Sequence, residues 1–263
     1  MIPKPQWLNQ DVRNKMKTLL IGDIHGRPIW KDILEKESSN LSRVIFFGDY
    51  FDSFDISGID QIHNFNEIIQ FKESTDLEVI MLIGNHDHHY LHVDETYSGF
   101  QPALQHDIYF TLKKNKKHLQ VVYSFDDILC SHAGISPVWL DKSFGLWSKK
   151  TMVDDINELY HYQQRKFNFI HTSFDFYGDS VEQGPLWIRP KSLMKSNKGD
   201  DGLKKHYIQV FGHTQLNDIF ESFVSSERAM GSRYYNIDTL VGNGYVIYED
   251  GKLKPFKLDE VSK

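Results

Sequence analysis

Residues 18–26 read Thr18-Leu19-Leu20-Ile21-Gly22-Asp23-Ile24-His25-Gly26, and this stretch decides the fold. A short apolar run stops abruptly at a glycine, and an Asp-x-His pair stands between two glycines. That is the pattern of a buried strand running into a tight loop. Pro28 then suits the first turn of a helix reaching about Lys36. The same sentence is written twice more. Arg43 to Phe47 is a strand ending at Gly48-Asp49-Tyr50-Phe51-Asp52, and Glu78 to Ile83 is one ending at Gly84-Asn85-His86-Asp87. Between them Ile59, Ile62, Phe65, Ile68, Ile69 and Phe71 mark one face of a helix. The rhythm is βαβαβ, which predicts an α/β fold with a parallel sheet and chemistry beyond the carboxyl ends of its strands.

Outward from this core the pattern continues. A helix is expected from about Pro102 to Lys117, then strands at Leu119–Tyr123 and Asp127–Ser131 leading to His132-Ala133-Gly134. Tyr207 to Phe211 is a further strand, ending at Gly212-His213-Thr214. Asn236-Ile237-Asp238 and Tyr245 to Tyr248 read as strands, with a hairpin turn at Asp250-Gly251. The less regular span of about 141–205 reads as an insertion or lid near the site. It holds a helical piece (Val153 to Phe167), aromatics (Phe167, Phe169, Phe174, Phe176, Tyr177) and a polar loop at Lys195–Lys205. Residues 1–16 form an N-terminal arm, and 17–263 one domain, since no linker divides them.

The bulk properties bound the function. The chain has 263 residues, 40% of them hydrophobic and 14% aromatic, enough for a sizeable core. A net charge of −6 disfavours general nucleic-acid binding. The single cysteine, Cys130, lies in an apolar run and reads as a buried small hydrophobe. No apolar segment has the length of a signal-peptide core or a membrane span. The expected compartment is the cytoplasm, of a cell or of a phage-infected one.

Asp23, His25, Asp49, Asp52, Asn85, His86, His132 and His213 all follow strands. Carboxylates mixed with imidazoles suit Mn²⁺, Fe or Zn²⁺ better than Ca²⁺, and a carboxylate able to bridge suits a two-metal site. The series GDIHG, GDYFD, GNHD, HAG and GHT, in that order, resembles the calcineurin-like metallophosphoesterases, nearest their PPP-type branch of serine/threonine phosphatases, phage-type phosphatases and symmetrical diadenosine-tetraphosphate hydrolases. Pro185-Leu186-Trp187-Ile188-Arg189 and Asn236-Ile237-Asp238-Thr239 also look like features of that branch.

The resemblance implies a two-sheet sandwich flanked by helices and two divalent metals, manganese first, with iron, zinc or nickel as substitutes. It implies that Asp23 and His25 hold one metal, that Asp49 bridges, and that Asn85, His132 and His213 hold the other. Water acidified by the two cations would attack phosphorus. His86 would protonate the leaving oxygen, with Asp52 orienting it, while Arg189 and Asn85 would contact phosphate. The expected reaction is hydrolysis of phosphomonoesters on protein or small molecules. Nucleotide phosphodiester or diadenosine-tetraphosphate hydrolysis is the rival reading, and a non-catalytic metal scaffold the more distant one. One departure bears on the choice: Ser53 stands where the branch has a phosphate-gripping arginine. Asp238 is expected to hydrogen-bond backbone near the site rather than bind metal, and His88 and His89 to stand behind the ligands or at the rim of the pocket rather than ligate.

Overall fold

The computed structural model describes residues 16–92, 95–171, 180–197, 203–229 and 233–259. Most of the arm, the aromatics Phe174, Phe176 and Tyr177, and residues 198–202 of the polar loop lie outside the described residues. The chain opens with strand β1 (Lys17–Ile21), helix α1 (Trp30–Glu37), β2 (Leu41–Phe46), α2 (Gly58–Ser74) and β3 (Glu78–Leu82). Then come α3 (Asn85–Leu91), α4 (Gln105–Asn115), β4 (Leu119–Gln120), β5 (Val122–Phe125) and β6 (Ile128–Ser131). Helices α5 (Pro137–Phe144), α6 (Met152–Tyr162) and α7 (Pro190–Ser196) precede β7 (Ile208–Phe211), α8 (Ile219–Ala229), β8 (Tyr234–Asn236), β9 (Gly244–Glu249) and β10 (Lys252–Lys257).

The strands form two sheets, one of six in the order β10-β9-β1-β2-β3-β4 and one of four in the order β5-β6-β7-β8. β1 to β4 run parallel, as do β6 to β8, and β9, β10 and β5 pair antiparallel at the margins. The parallel strands therefore all deliver their carboxyl ends to one rim.

Side-chain alternation along each strand builds the layers. Leu19, Ile21, Val44, Phe46, Val79 and Met81 face Trp30, Ile33, Phe65, Ile68, Ile108 and Leu112 of the helices. The intervening residues Leu20, Ile45, Ile80 and Leu82 face the other sheet and meet Ile128, Cys130, Val210 and Tyr235. The outer face of the second sheet is covered by Trp139, Leu140, Met152, Ile156, Phe167 and Trp187. The result is an α/β/β/α sandwich with apolar side chains between every pair of layers.

Differences from the sequence reading are local. The helix expected at 102–117 is helical α only from Gln105 to Asn115, with a 3₁₀ turn at either end. Ile59 of α2 is 61% exposed, because the face that packs is set by Phe65, Ile68 and Ile69 a turn or more further on. Strand β8 stops at Asn236, so Asp238 turns out of the sheet. Asp250 (φ 54°) and Gly251 (φ 74°) make the β9–β10 turn left-handed at both positions, the geometry of a two-residue hairpin. Among the described residues no helix is long and apolar enough to cross a membrane.

Candidate metal centre

Each candidate ligand leaves the end of a parallel strand. Asp23 and His25 follow β1, Asp49 and Asp52 follow β2, Asn85 begins α3 after β3, and His132 and His213 follow β6 and β7. The loops bend sharply: His25 (φ 41°), Asp49 (φ 48°), Asp52 (φ 65°) and His213 (φ 66°) are all left-handed. Asp and His tolerate that region better than most residues, and such conformations gather where function requires them. Glycines let the acids lie against backbone. A Cβ on Gly84 would collide with Asp49 Oδ1, and one on Gly212 with Asp23 Oδ1.

Two groups of metal-capable atoms share one carboxylate. Asp23, His25 and Asp49 form the first, and Asp49, His132 and His213 the second, with the atoms of each group within 4.8 Å of one another. Asp49 Oδ2 lies 3.8 Å from His25 Nε2 and 3.3 Å from His132 Nε2. Its Oδ1 accepts the His86 backbone N–H at 2.9 Å.

The imidazoles are turned the way metal ligands are. His25 Nδ1 lies 2.6 Å from Phe51 O, His132 Nδ1 lies 2.8 Å from Phe47 O, and His213 Nε2 lies 3.1 Å from Trp187 O. A carbonyl can only accept, so those nitrogens carry the protons and the other nitrogen of each ring offers its lone pair inward. His132 Nε2 and His213 Nδ1 both point at Asn85 Oδ1, at 2.8 and 2.9 Å. With the amide in this orientation three lone pairs converge, an arrangement that a cation relieves.

Charge tells the same story. Burial, and then the negative neighbours Asp238 and Asp49, push Asp23 well above the usual carboxylate range. Asp238 rises to about 7 through burial and Asp49, and Asp87 to about 8 for the same two reasons. Burial also works against the charge on Asp49, but His132, His86 and His25 outweigh it and hold this carboxylate low. Burial keeps His25 neutral, down to about 4, and with Arg189 and His132 holds His213 low. Burial opposes charge on His132 too, but Asp49 prevails there and raises it, so the carboxylates draw positive charge into the nest; with His25 and His213 held neutral, the donor set fits divalent cations.

The third cluster, Asp52, His86 and His89, is a hydrogen-bonded relay. His86 Nδ1 is 2.9 Å from Asp52 Oδ2, and Tyr90 Oη donates to Asp52 Oδ1. His89 Nε2 also lies 2.7 Å from Asp52 Oδ2 but is out of line for a hydrogen bond. Burial opposes charge on His86, yet Asp49 and Asp52 prevail and raise it to about 9.

The remaining assignments divide. Asp87 accepts the N–H groups of Gly84 and Tyr50 at 2.9 and 2.8 Å, fastening the third motif to the second. His88 is buried between Tyr160 and Asn168. Asp238 is buried beside Asp23, whose pKa it raises. Arg189 Nη1 donates to His213 O and Thr214 Oγ1 at 2.9 and 3.1 Å, and the residue is absent from the lining of the cleft above the acids. That cleft, of about 280 Å³, is lined instead by Asp23, His25, Asp49, Asp52, His86 and His213 with Arg27, Ser53, Phe54 and Asp238. The hold of Tyr90 on Asp52 was beyond the motifs, although His86, His89 and Tyr90 at i, i+3 and i+4 would share a face once α3 was known to start at Asn85.

The model of a family described as calcineurin-like phosphoesterase matches residues 16–244. Among solved structures, the fold is similar to a cold-active protein-tyrosine phosphatase of a psychrophilic Shewanella species, at 19% identity over 91% of this chain and 77% of that one, with a TM-score of 0.58. It is also similar to a protein serine/threonine phosphatase from Saccharomyces cerevisiae, at 13% identity over 94% and 81% of the two chains, with a TM-score of 0.53. Identities this low speak to the shared fold alone. No curated protein matches the chain.

Proposed function

This chain belongs to the calcineurin-like phosphoesterase family, and from that premise we propose that it hydrolyses phosphomonoesters at a centre of two divalent metals, manganese foremost. The observation that carries the reading is Asp49, whose carboxylate belongs to both ligand groups. In this reading Asp23 and His25 complete one position, and Asn85, His132 and His213 the other. When bound, the metals supply positive charge against phosphoryl oxygens and acidify water near neutral pH.

The chain's own groups do the rest. The carbonyls of Phe51, Phe47 and Trp187 fix the tautomer of each ligand histidine. Without metal, Asp49 and then Asp52 raise the His86 pKa to about 9, and the Asp52 contact at Nδ1 still favours the protonated ring once metals take up Asp49. Because Nδ1 is held by Asp52, Nε2 is the nitrogen that gives a proton to the leaving oxygen. Asp52 and Tyr90 lock that orientation. The pair of His86 and Asp52 argues against a metal-binding scaffold, which needs no acid for a leaving group. No described residue of the segment at 141–205 lines the cleft above the acids, and its part is to hold the site from behind: Trp187 carries the carbonyl that holds His213, and Arg189 braces the His213–Thr214 turn.

A second reading, hydrolysis of diesters or dinucleoside polyphosphates, is favoured by Ser53. Its hydroxyl oxygen accepts the N–H groups of Asp55 and Ile56, both at 3.2 Å, so this residue builds a turn and offers no guanidinium to a phosphate. The deciding experiment is hydrolysis of p-nitrophenyl phosphate, bis-p-nitrophenyl phosphate and diadenosine tetraphosphate, each with Mn²⁺, Ni²⁺, Zn²⁺ or Mg²⁺. Preferred turnover of the monoester supports the proposal, and preferred turnover of either of the others overturns the choice of substrate class.

A further inference from the structure

With Ser53 committed to its own turn, Arg27 is the one guanidinium among the described residues that line the cleft. Arg27 stands two residues beyond His25 and lines the same cleft as Asp23, His25, Asp49 and His86. Its backbone is fixed on both sides. Gly26, at φ 71°, donates its N–H to Tyr50 O at 3.0 Å, and Arg27 N–H reaches Ile24 O at 2.9 Å. The Arg27 carbonyl accepts from Asn64 Nδ2 at 3.4 Å.

The guanidinium itself is under-used. Nη1 is buried and makes no hydrogen bond to the described residues. Nη2 lies 4.0 Å from Asp55 Oδ2, on a side chain that is 84% exposed, and an exposed pair at that distance contributes little. A buried donor left unpaired is costly, and a planar fork of donors beside a metal-capable acid nest fits the oxygens of a phosphoryl group.

We propose that Arg27 grips the non-bridging oxygens of the substrate phosphate, taking from the first motif loop the task that Ser53 leaves undone in the second. The inference rests on the phosphoesterase reading and sharpens it. A positive fork favours a terminal phosphate, with nearly two charges at neutral pH, over a diester with one. Arg27 then sets the preference for monoesters.

The test compares wild type, R27Q and R27K, each loaded with Mn²⁺ and with metal content measured. The readouts are binding of inorganic phosphate by calorimetry, and kcat and KM for p-nitrophenyl phosphate and bis-p-nitrophenyl phosphate. R27Q is expected to weaken phosphate binding and monoester kcat/KM by about 10–100-fold, the range for charged hydrogen bonds, with a smaller loss for the diester. R27K, keeping the charge without the fork, falls between. Phosphate affinity and ester ratio unchanged in R27Q overturn the proposal. So does loss of metal with phosphate binding intact in the loaded fraction, because Arg27 would then be a counter-ion for Asp23 and Asp238. If R27Q does not fold, R27K decides, and phosphate affinity equal to wild type refutes the role. A wild type inert toward both esters sinks the phosphoesterase reading, while phosphate binding by wild type and variants still judges Arg27.

Discussion

His86 shows how single residues are set in this site. Asp52 fixes its Nδ1, Tyr90 fixes Asp52, and the surrounding acids keep it protonated. Replacing it with asparagine is expected to leave both metals in place and lower kcat by roughly 10²–10⁴ for an alkyl phosphate, with a smaller loss for p-nitrophenyl phosphate, whose leaving group needs no proton. Equal losses on both would deny the proton-donor role. The candidate ligand residues stood out in the sequence because they gather just beyond apolar runs, and the structure brings them together. Contacts that close through space did not: the burial of Asp238 beside Asp23, the tautomers set by three carbonyls, and the engagement of Arg189 with its neighbouring turn. Ser53 shows the limit in another way. The sequence exposes the missing arginine, but only the turn at Asp55 and Ile56 explains what the serine does instead.

At the scale of elements, the loops matter more than the strands they follow. Gly84 lets Asp49 pack against the start of α3, and Gly84→Ala is expected to cost about 1–3 kcal/mol through overpacking and to weaken metal binding with it. The control is Ser57, whose side chain accepts the Asp60 N–H at the start of α2. Ser57→Ala is expected to cost about 1 kcal/mol with no change in metal affinity. Thermal melting and metal titration of both variants check the contrast, and a Gly84→Ala protein that binds metal normally would contradict it. The parallel strands were readable because burial on both faces gives short continuous apolar runs. Helix α3 was not, because it packs through His88, His89 and Tyr90 rather than through an aliphatic stripe. Helix α8 buries Ser222 and Ser226 beside Phe223, which blurs its period, although Asp218 Oδ1 accepts the N–H groups of Phe220 and Glu221 and marks its start.

For the molecule as a whole, the two sheets bring the carboxyl ends of their parallel strands to one rim and bury a cluster of acids there. Asp23, Asp87 and Asp238 have raised pKa values in the fold, and so has His86. Groups raised in this way stabilise the fold fully below their unfolded pKa, and that contribution is lost as pH rises through the folded value. The groups held low, Asp49, His25 and His213, have finished titrating by about pH 7 in both states. Metal-free protein should therefore melt at a lower temperature near pH 9 than near pH 7, and saturating Mn²⁺ should flatten the difference. A melting temperature that rises over that interval without metal would contradict the charge balance. The sandwich itself followed from the motif series rather than from periodicity, since nothing in the spacing of β5 to β8 says that they form a separate sheet. The central claim is that Asp49 belongs to both metals, and it is tested most directly by counting metal ions on wild type and Asp49→Asn by calorimetry and elemental analysis. The account predicts two ions per wild-type chain, fewer and weaker ones on the variant, and loss of turnover with them; two tightly bound ions and normal turnover in Asp49→Asn would contradict it.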